Sequence, residues 1–229
     1  MEDLFFTLAD TYQLGAIAWR FPVVELARGL LDGSFGADLS ACLQELDYPR
    51  QSAEEISAEL GTAAAVEAEG SVQTLYDALR TAYTVLFLVP KKEKVYLYES
   101  LFRYPKNADP KNYSMFVSPC ALHCEQLYRE AGLAVKKNVR EPADHFATEL
   151  EFYSCLNRMA GANPEETEWP RRAETFRKTH LDKWQKAFLA EVEEKSPSET
   201  YRILAKAGGM IANAPGLQRS CQAESLPEQ

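Results

Sequence analysis

In the stretch Ser71-Val72-Gln73-Thr74-Leu75-Tyr76-Asp77-Ala78-Leu79-Arg80-Thr81-Ala82-Tyr83-Thr84-Val85-Leu86-Phe87-Leu88, the residues Val72, Leu75, Tyr76, Leu79, Tyr83, Leu86 and Phe87 recur at steps of three and four. That spacing predicts one amphipathic helix over 71–88, with Ser71 as N-cap and Pro90 beyond its end. The same period runs outward in both directions. Phe146, Leu150, Tyr153, Leu156 and Met159 repeat after Pro142, and Phe176, Leu181, Trp184, Phe188 and Val192 repeat after Pro170. Residues 54–69 are rich in Ala and Glu, both strong helix formers. Nearer the start, Leu8, Tyr12, Ile17 and Trp19 precede Pro22, and Val23, Leu26 and Leu30 follow it, which predicts two helices broken at that proline.

Strand signals are scarce. Val95-Tyr96-Leu97-Tyr98 has β propensity but is too short to imply a sheet. The reading is all-α: a single compact bundle over 1–214, with a polar, aperiodic and mobile tail over 215–229. Breaks carrying Pro, Gly, Asn or charge runs fall at 47–51, 89–94, 104–112, 161–170 and 194–198. The two central ones bracket 95–103, so a hinge between two helical halves is expected near 89–112.

The 229 residues carry 25 Lys+Arg against 34 Asp+Glu, a formal net charge of −9. Such a surface repels phosphate backbones and anionic lipid, so no nucleic-acid partner is expected. No apolar run approaches the roughly 20 residues of a membrane span. The chain opens Met1-Glu2-Asp3, acidic where a secretory signal is basic, which points to the cytoplasm. Five cysteines in a chain of this length do not make a disulfide framework and fit reduced thiols. No phosphate-binding GxxxxGK[ST] loop, GxGxxG, HExxH or GxSxG is present, so no catalytic residue and no cofactor are assigned.

Cys120-Ala121-Leu122-His123-Cys124 comes nearest to a metal motif. On a helix its three ligating side chains share one face, which keeps open a metal-binding enzyme or sensor. A zinc site needs a fourth ligand, however, and no second Cys/His pair is visible; small thiols on a buried helix face explain the same residues.

The chemistry-rich segment is Glu141-Pro142-Ala143-Asp144-His145-Phe146-Ala147-Thr148-Glu149. With Pro142 in a first helical turn, Glu141 and Asp144 lie at the positive end of the helix dipole, and His145 and Glu149 share a face. Capping accounts for both carboxylates; an acidic mouth that receives a cation is the alternative. Aromatic residues recur in Tyr96-Leu97-Tyr98-Glu99-Ser100-Leu101-Phe102 and around Tyr83 and Phe87. Such stripes are usually core, but converging on the carboxylates they would line an apolar groove with an acidic end. A peptide carrying arginines beside an apolar run would fit it.

Read in order, Arg80-Thr81-Ala82-Tyr83-Thr84-Val85-Leu86-Phe87, Tyr98-Glu99-Ser100-Leu101-Phe102, the segment 141–152 and His180-Leu181-Asp182-Lys183-Trp184 with Phe188 resemble the TorD/DmsD/NarJ family of redox-enzyme maturation chaperones. Tyr128-Arg129-Glu130-Ala131-Gly132-Leu133 fits as well, and the resemblance spans 75–188. It implies an all-helical cytoplasmic chaperone without catalytic activity; the oligomeric state stays open between monomer and homodimer, since the expected hinge would permit domain exchange between two chains. Its partner would be the precursor of a molybdopterin oxidoreductase catalytic subunit, bound through the twin-arginine signal peptide. By motif position, Tyr83, Leu86, Phe87, Tyr98 and Ser100 would line the groove. Glu141, Asp144 and His145 would form its polar end, and Glu149 matches the motif.

Overall fold

The computed structural model describes residues 2–89, 94–104, 118–133 and 142–217. It is all-α among them. The order is α1 (Glu2–Trp19), α2 (Val24–Leu31), α3 (Ser34–Glu45), α4 (Arg50–Ala68), α5 (Val72–Tyr83), a π-helical turn (Thr84–Leu88), α6 (Glu99–Phe102), α7 (Pro119–Glu130), α8 (Phe146–Ala162), α9 (Glu168–Phe176), a second π-helical turn (Arg177–Leu181), α10 (Asp182–Lys195) and α11 (Glu199–Ala212). No strand occurs among the described residues; the β propensity at 95–98 is expressed as one isolated antiparallel bridge between Tyr98 and His145.

Local chemistry sets the boundaries. Ser71 Oγ accepts hydrogen bonds from the backbone N–H of Gln73 and Thr74, the expected cap of α5. Between α2 and α3 the chain turns at Gly33, whose φ of +83° favours glycine, and Ser34 N–H donates to Asp32 Oδ1. Pro170 sits within the first turn of α9, where the N–H it lacks would have no partner inside the helix.

Two departures from the sequence reading bear on the site. The expected helix over 71–88 is α5 followed by a π turn, and the helix expected from Phe176 to Val192 is broken in the same way by the second π turn. The other departure concerns α8, which starts at Phe146 with His145 as its N-cap, not at Pro142. The cause is tertiary. Phe146 N–H donates to Leu97 O at 2.8 Å and Glu99 N–H to Asp144 O at 3.0 Å, so residues 144–146 are bonded to 97–99 with His145 held extended between them. Asp144 therefore lies outside the helix whose dipole it was expected to cap.

Helices α3 and α11 were not among the expected ones, although Tyr201, Leu204, Ala205 and Ile211 of α11 recur at helical spacing. In α11, Gly208 is what lets the helix lie close on α10: a Cβ there would stand 2.9 Å from Leu189 Cδ2. The chain does not leave the body at Pro215 as expected of a tail. Leu217 is buried and Gly216 N–H donates to Leu46 O, because Ala214 and Leu217 add apolar surface to the core; 218–229 lie outside the described residues. Of the expected hinge, Val95, Leu97 and Glu99 are buried, while 90–93 and 105–112 lie outside the described residues.

Helix α1 runs along α8, and α10 packs on α11, which in turn covers α4. At the centre Phe188 touches the rings of Trp19 (5.6 Å between centroids), Phe146 (4.5 Å), Trp184 (5.3 Å), Phe102 (6.0 Å) and Phe87 (6.2 Å). Such ring pairs add to the area term, so this residue couples α1, α6, α8, α10 and the first π turn. Phe188→Ala is expected to cost about 3–5 kcal/mol, and Ser71→Ala about 1 kcal/mol. Urea unfolding measures both; similar losses for the two would show that the aromatic cluster does not hold the bundle together.

Candidate functional site

The three motif clusters meet on the segment 94–104. Val95 N–H donates to Leu86 O of the first π turn at 3.2 Å, joining the first cluster to the second. The second joins the third through the Tyr98–His145 bridge, a Tyr98–His145 ring contact of 5.2 Å, and Ser100 N–H donating to Asp144 Oδ2 at 2.9 Å.

What the cluster does with these side chains differs from the expected open groove. Tyr83, Leu86 and Phe87 are buried, with Tyr83 and Phe87 set against Tyr201, and Phe87 against Phe188 as well. They hold the surface from beneath instead of lining it. Tyr98 and Ser100 are half-buried. Asp144 is fully buried, and burial raises its pKa. Its Oδ2 caps α6, the Ser100 hydroxyl beside it partly offsets the effect of burial, and its Oδ1 has no hydrogen-bond partner among the described residues. His145 is also buried; its Nδ1 accepts from Ala147 N–H at 3.2 Å, and its side chain makes no pair with Glu149, which turns instead to Trp184. Glu141 lies outside the described residues. The apolar side chains that do reach the surface here are Val85, Leu88 and Val89, with Tyr96 on the segment bonded to that turn. A cavity of about 230 Å³ opens elsewhere, between α7, α8 and α9, with Leu127, Phe152 and Phe176 on its walls and Glu130 and Arg171 among its charged residues.

Beside α6 lies a cluster that sequence reasoning saw only in half. Cys120 and Cys124 of α7 face Glu99 of α6 and His180 of the second π turn, and one ligating atom from each of the four lies within 4.8 Å of the others. Glu99 Oε2 is 2.6 Å from His180 Nδ1 and accepts from the Cys120 thiol at 2.7 Å; Cys124 Sγ is 3.4 Å from His180 Nδ1. Burial opposes charge on both Glu99 and His180. Hydrogen bonds prevail: those to His180, Cys120 and Arg103 hold the Glu99 carboxyl below its ordinary range, and those to Cys120 and Glu99 hold His180 up to about 9. A hydrogen bond from Cys124 lowers the Cys120 pKa, whereas burial raises that of Cys124. Glu149, fully buried, has its pKa raised by burial and accepts from Trp184 Nε1–H at 3.0 Å. His123, expected beside the two thiols, stands behind the cluster with its Nδ1 2.8 Å from His180 Nε2. Glu99 and His180 were both present in the motifs quoted above. What the sequence lacked was any sign that residues 81 positions apart converge.

A family model described as nitrate reductase delta subunit matches residues 48–190, from the turn before α4 into α10. The chain belongs to the nitrate reductase delta subunit family. This is a NarJ/TorD-type family of molybdoenzyme maturation chaperones, not of enzymes. A search among curated proteins finds none that matches the chain. Both the segment 94–104 and the Glu99/Cys120/Cys124/His180 cluster fall inside the nitrate reductase delta subunit match, whereas α1, whose Trp19 completes the aromatic core, falls outside it. No helix among the described residues is long and apolar enough to cross a membrane.

His145 supplies a pH test of this geometry. Burial, with Arg20 adding a smaller push, lowers its pKa from 6.5 to about 3. The unfolded chain therefore takes up a proton at this residue below pH 6.5 that the folded chain refuses until about pH 3. Stability is full above pH 6.5 and falls through that window by up to about 1.4 kcal/mol per pH unit. His145→Asn keeps a capping acceptor and removes the proton. Urea midpoints at pH 7 and pH 5 are expected to fall less in the variant than in the wild type; an equal fall would show that His145 is not held neutral.

Proposed function

We propose that this member of the nitrate reductase delta subunit family is a cytoplasmic chaperone for the precursor of a molybdopterin oxidoreductase. It would bind the twin-arginine signal peptide, hold the precursor for cofactor insertion and delay export. The observation that carries this reading is a buried acceptor at the junction of the three motifs. Asp144 Oδ1 has no partner among the described residues, and buried polar groups are rarely left so. A planar guanidinium is the natural complement of such a carboxylate.

Apolar surface for the rest of the leader is at hand in Val85, Leu88, Val89 and Tyr96. Covering such side chains returns roughly 25 cal/mol per Å². Asp144 is itself covered, so engagement requires α6 to give way. With four residues, α6 has little stability of its own and is held by its bonds to Asp144. The net charge of −9 favours encounter with a basic leader and makes it salt-sensitive. Tyr83, Leu86 and Phe87 support the surface, and Glu141 is a further acid for the second arginine.

A fluorescently labelled Arg-Arg leader peptide, titrated by anisotropy, tests the reading against its Lys-Lys counterpart. Asp144→Asn keeps an oxygen to cap α6 but loses the charge, and is expected to weaken binding at least about tenfold, since a hydrogen bond to a charged group is worth roughly 1.5–3 kcal/mol. Leu88→Asp, at a half-exposed position, should weaken it without unfolding the chain. If a folded Asp144→Asn variant binds as tightly as wild type, the acid assigned here is wrong.

A further inference from the structure

We propose that Glu99, Cys120, Cys124 and His180 form a four-ligand site for a divalent transition-metal ion, with Zn²⁺ as the best fit. The proposal stands apart from signal-peptide binding. Two sulfurs, one imidazole nitrogen and one carboxylate oxygen converge from three elements: α6, α7 and the second π turn. Bonds of 2.0–2.3 Å to a tetrahedral zinc place neighbouring ligand atoms about 3.3–3.8 Å apart. The Cys124–His180 separation of 3.4 Å lies in that range and the Cys120–His180 separation of 3.9 Å just beyond it, while the hydrogen-bonded contacts of 2.6 and 2.7 Å would open by about 0.6 Å as their protons leave. Magnesium and calcium call for oxygen ligands, whereas this donor set suits zinc or ferrous iron.

The surroundings have the form of an outer shell. His180 turns Nδ1 to the other three donors, and its Nε2 lies 2.8 Å from His123 Nδ1, a contact that fixes the ring's orientation. The Glu99 oxygen that does not face His180 accepts from Arg103. With two thiolates, one carboxylate and a neutral imidazole, the donors carry −3. A dication leaves −1, which the Arg103 guanidinium offsets. Binding would displace the two thiol protons and the Nδ1 proton of His180 to solvent. The half-buried Cys120 marks the side from which an ion enters. A bound ion would tie the short α6, with Tyr98 beside it, to α7 and the π turn.

Full-length protein, reduced and stripped with chelator, is titrated with Co²⁺ and followed by visible absorption; Zn²⁺ is then competed against a chromophoric chelator. Expected are one equivalent, tetrahedral ligand-field bands with thiolate-to-cobalt charge transfer, and displacement of Co²⁺ by Zn²⁺. Cys120→Ser, Glu99→Gln and His180→Asn should each abolish the one-equivalent endpoint. His123→Ala should weaken it by about 10–100-fold, and Cys155→Ser should leave it intact. Circular dichroism checks that each variant is folded, and Glu99→Gln, nearly isosteric, keeps the test open if a cysteine variant unfolds. Absence of saturable binding in the wild type, or the same endpoint in folded Cys120→Ser and Glu99→Gln variants, overturns the site.

Discussion

Glu99 is a carboxylate with no exposure to solvent, and the rest of the site is arranged around making that tolerable. A lone buried charge costs several kcal/mol, so the fold must supply compensation. It does so with the His180 imidazole at 2.6 Å, the Arg103 guanidinium and the Cys120 thiol. These donors come from α6 and the residue that follows it, α7 and the second π turn. One electrostatic requirement therefore locks three elements of low intrinsic stability into a single register. The backbone of Glu99 takes part as well: its N–H bonds to Asp144 O and thereby holds the entry of α8 extended.

The two π turns belong to the same logic. An extra residue in a helical turn shifts which side chains face inward, and such turns concentrate where function needs a particular orientation. The first leaves Leu86 and Phe87 in the core while Val85, Leu88 and Val89 emerge, and its terminal Leu86 carbonyl accepts from Val95. The second turns His180 toward Glu99 and the thiols. A continuous α-helix through either stretch would put these residues on other faces. The segment 94–104 is stitched between the two, so a change at the thiol cluster and a change at the exposed apolar strip act on the same short stretch of backbone.

Residues 48–190 carry the family likeness, but the core they pack around is completed from outside that span, by Trp19 of α1 and Tyr201 of α11. That is consistent with a division of labour. The matched part holds the chemistry-bearing side chains, and the flanking helices supply apolar surface to the core.

Periodicity alone determined the helical class, the cap at Ser71, the break at Pro22 and the pairing of Cys120 with Cys124 on one helix face, because each of these depends on residues within a few positions of one another. It also marked Tyr83, Leu86 and Phe87 as one stripe, but a stripe facing a core and a stripe facing a groove obey the same spacing. Only packing against Phe188 and Tyr201 decides between them. Glu99 and His180 became partners of the thiols, and Asp144 became the cap of α6 instead of α8, through contacts spanning 81 and 44 residues. Desolvation acts through three-dimensional neighbours, so which carboxylates are buried and what compensates them is a property of the fold that no local pattern encodes.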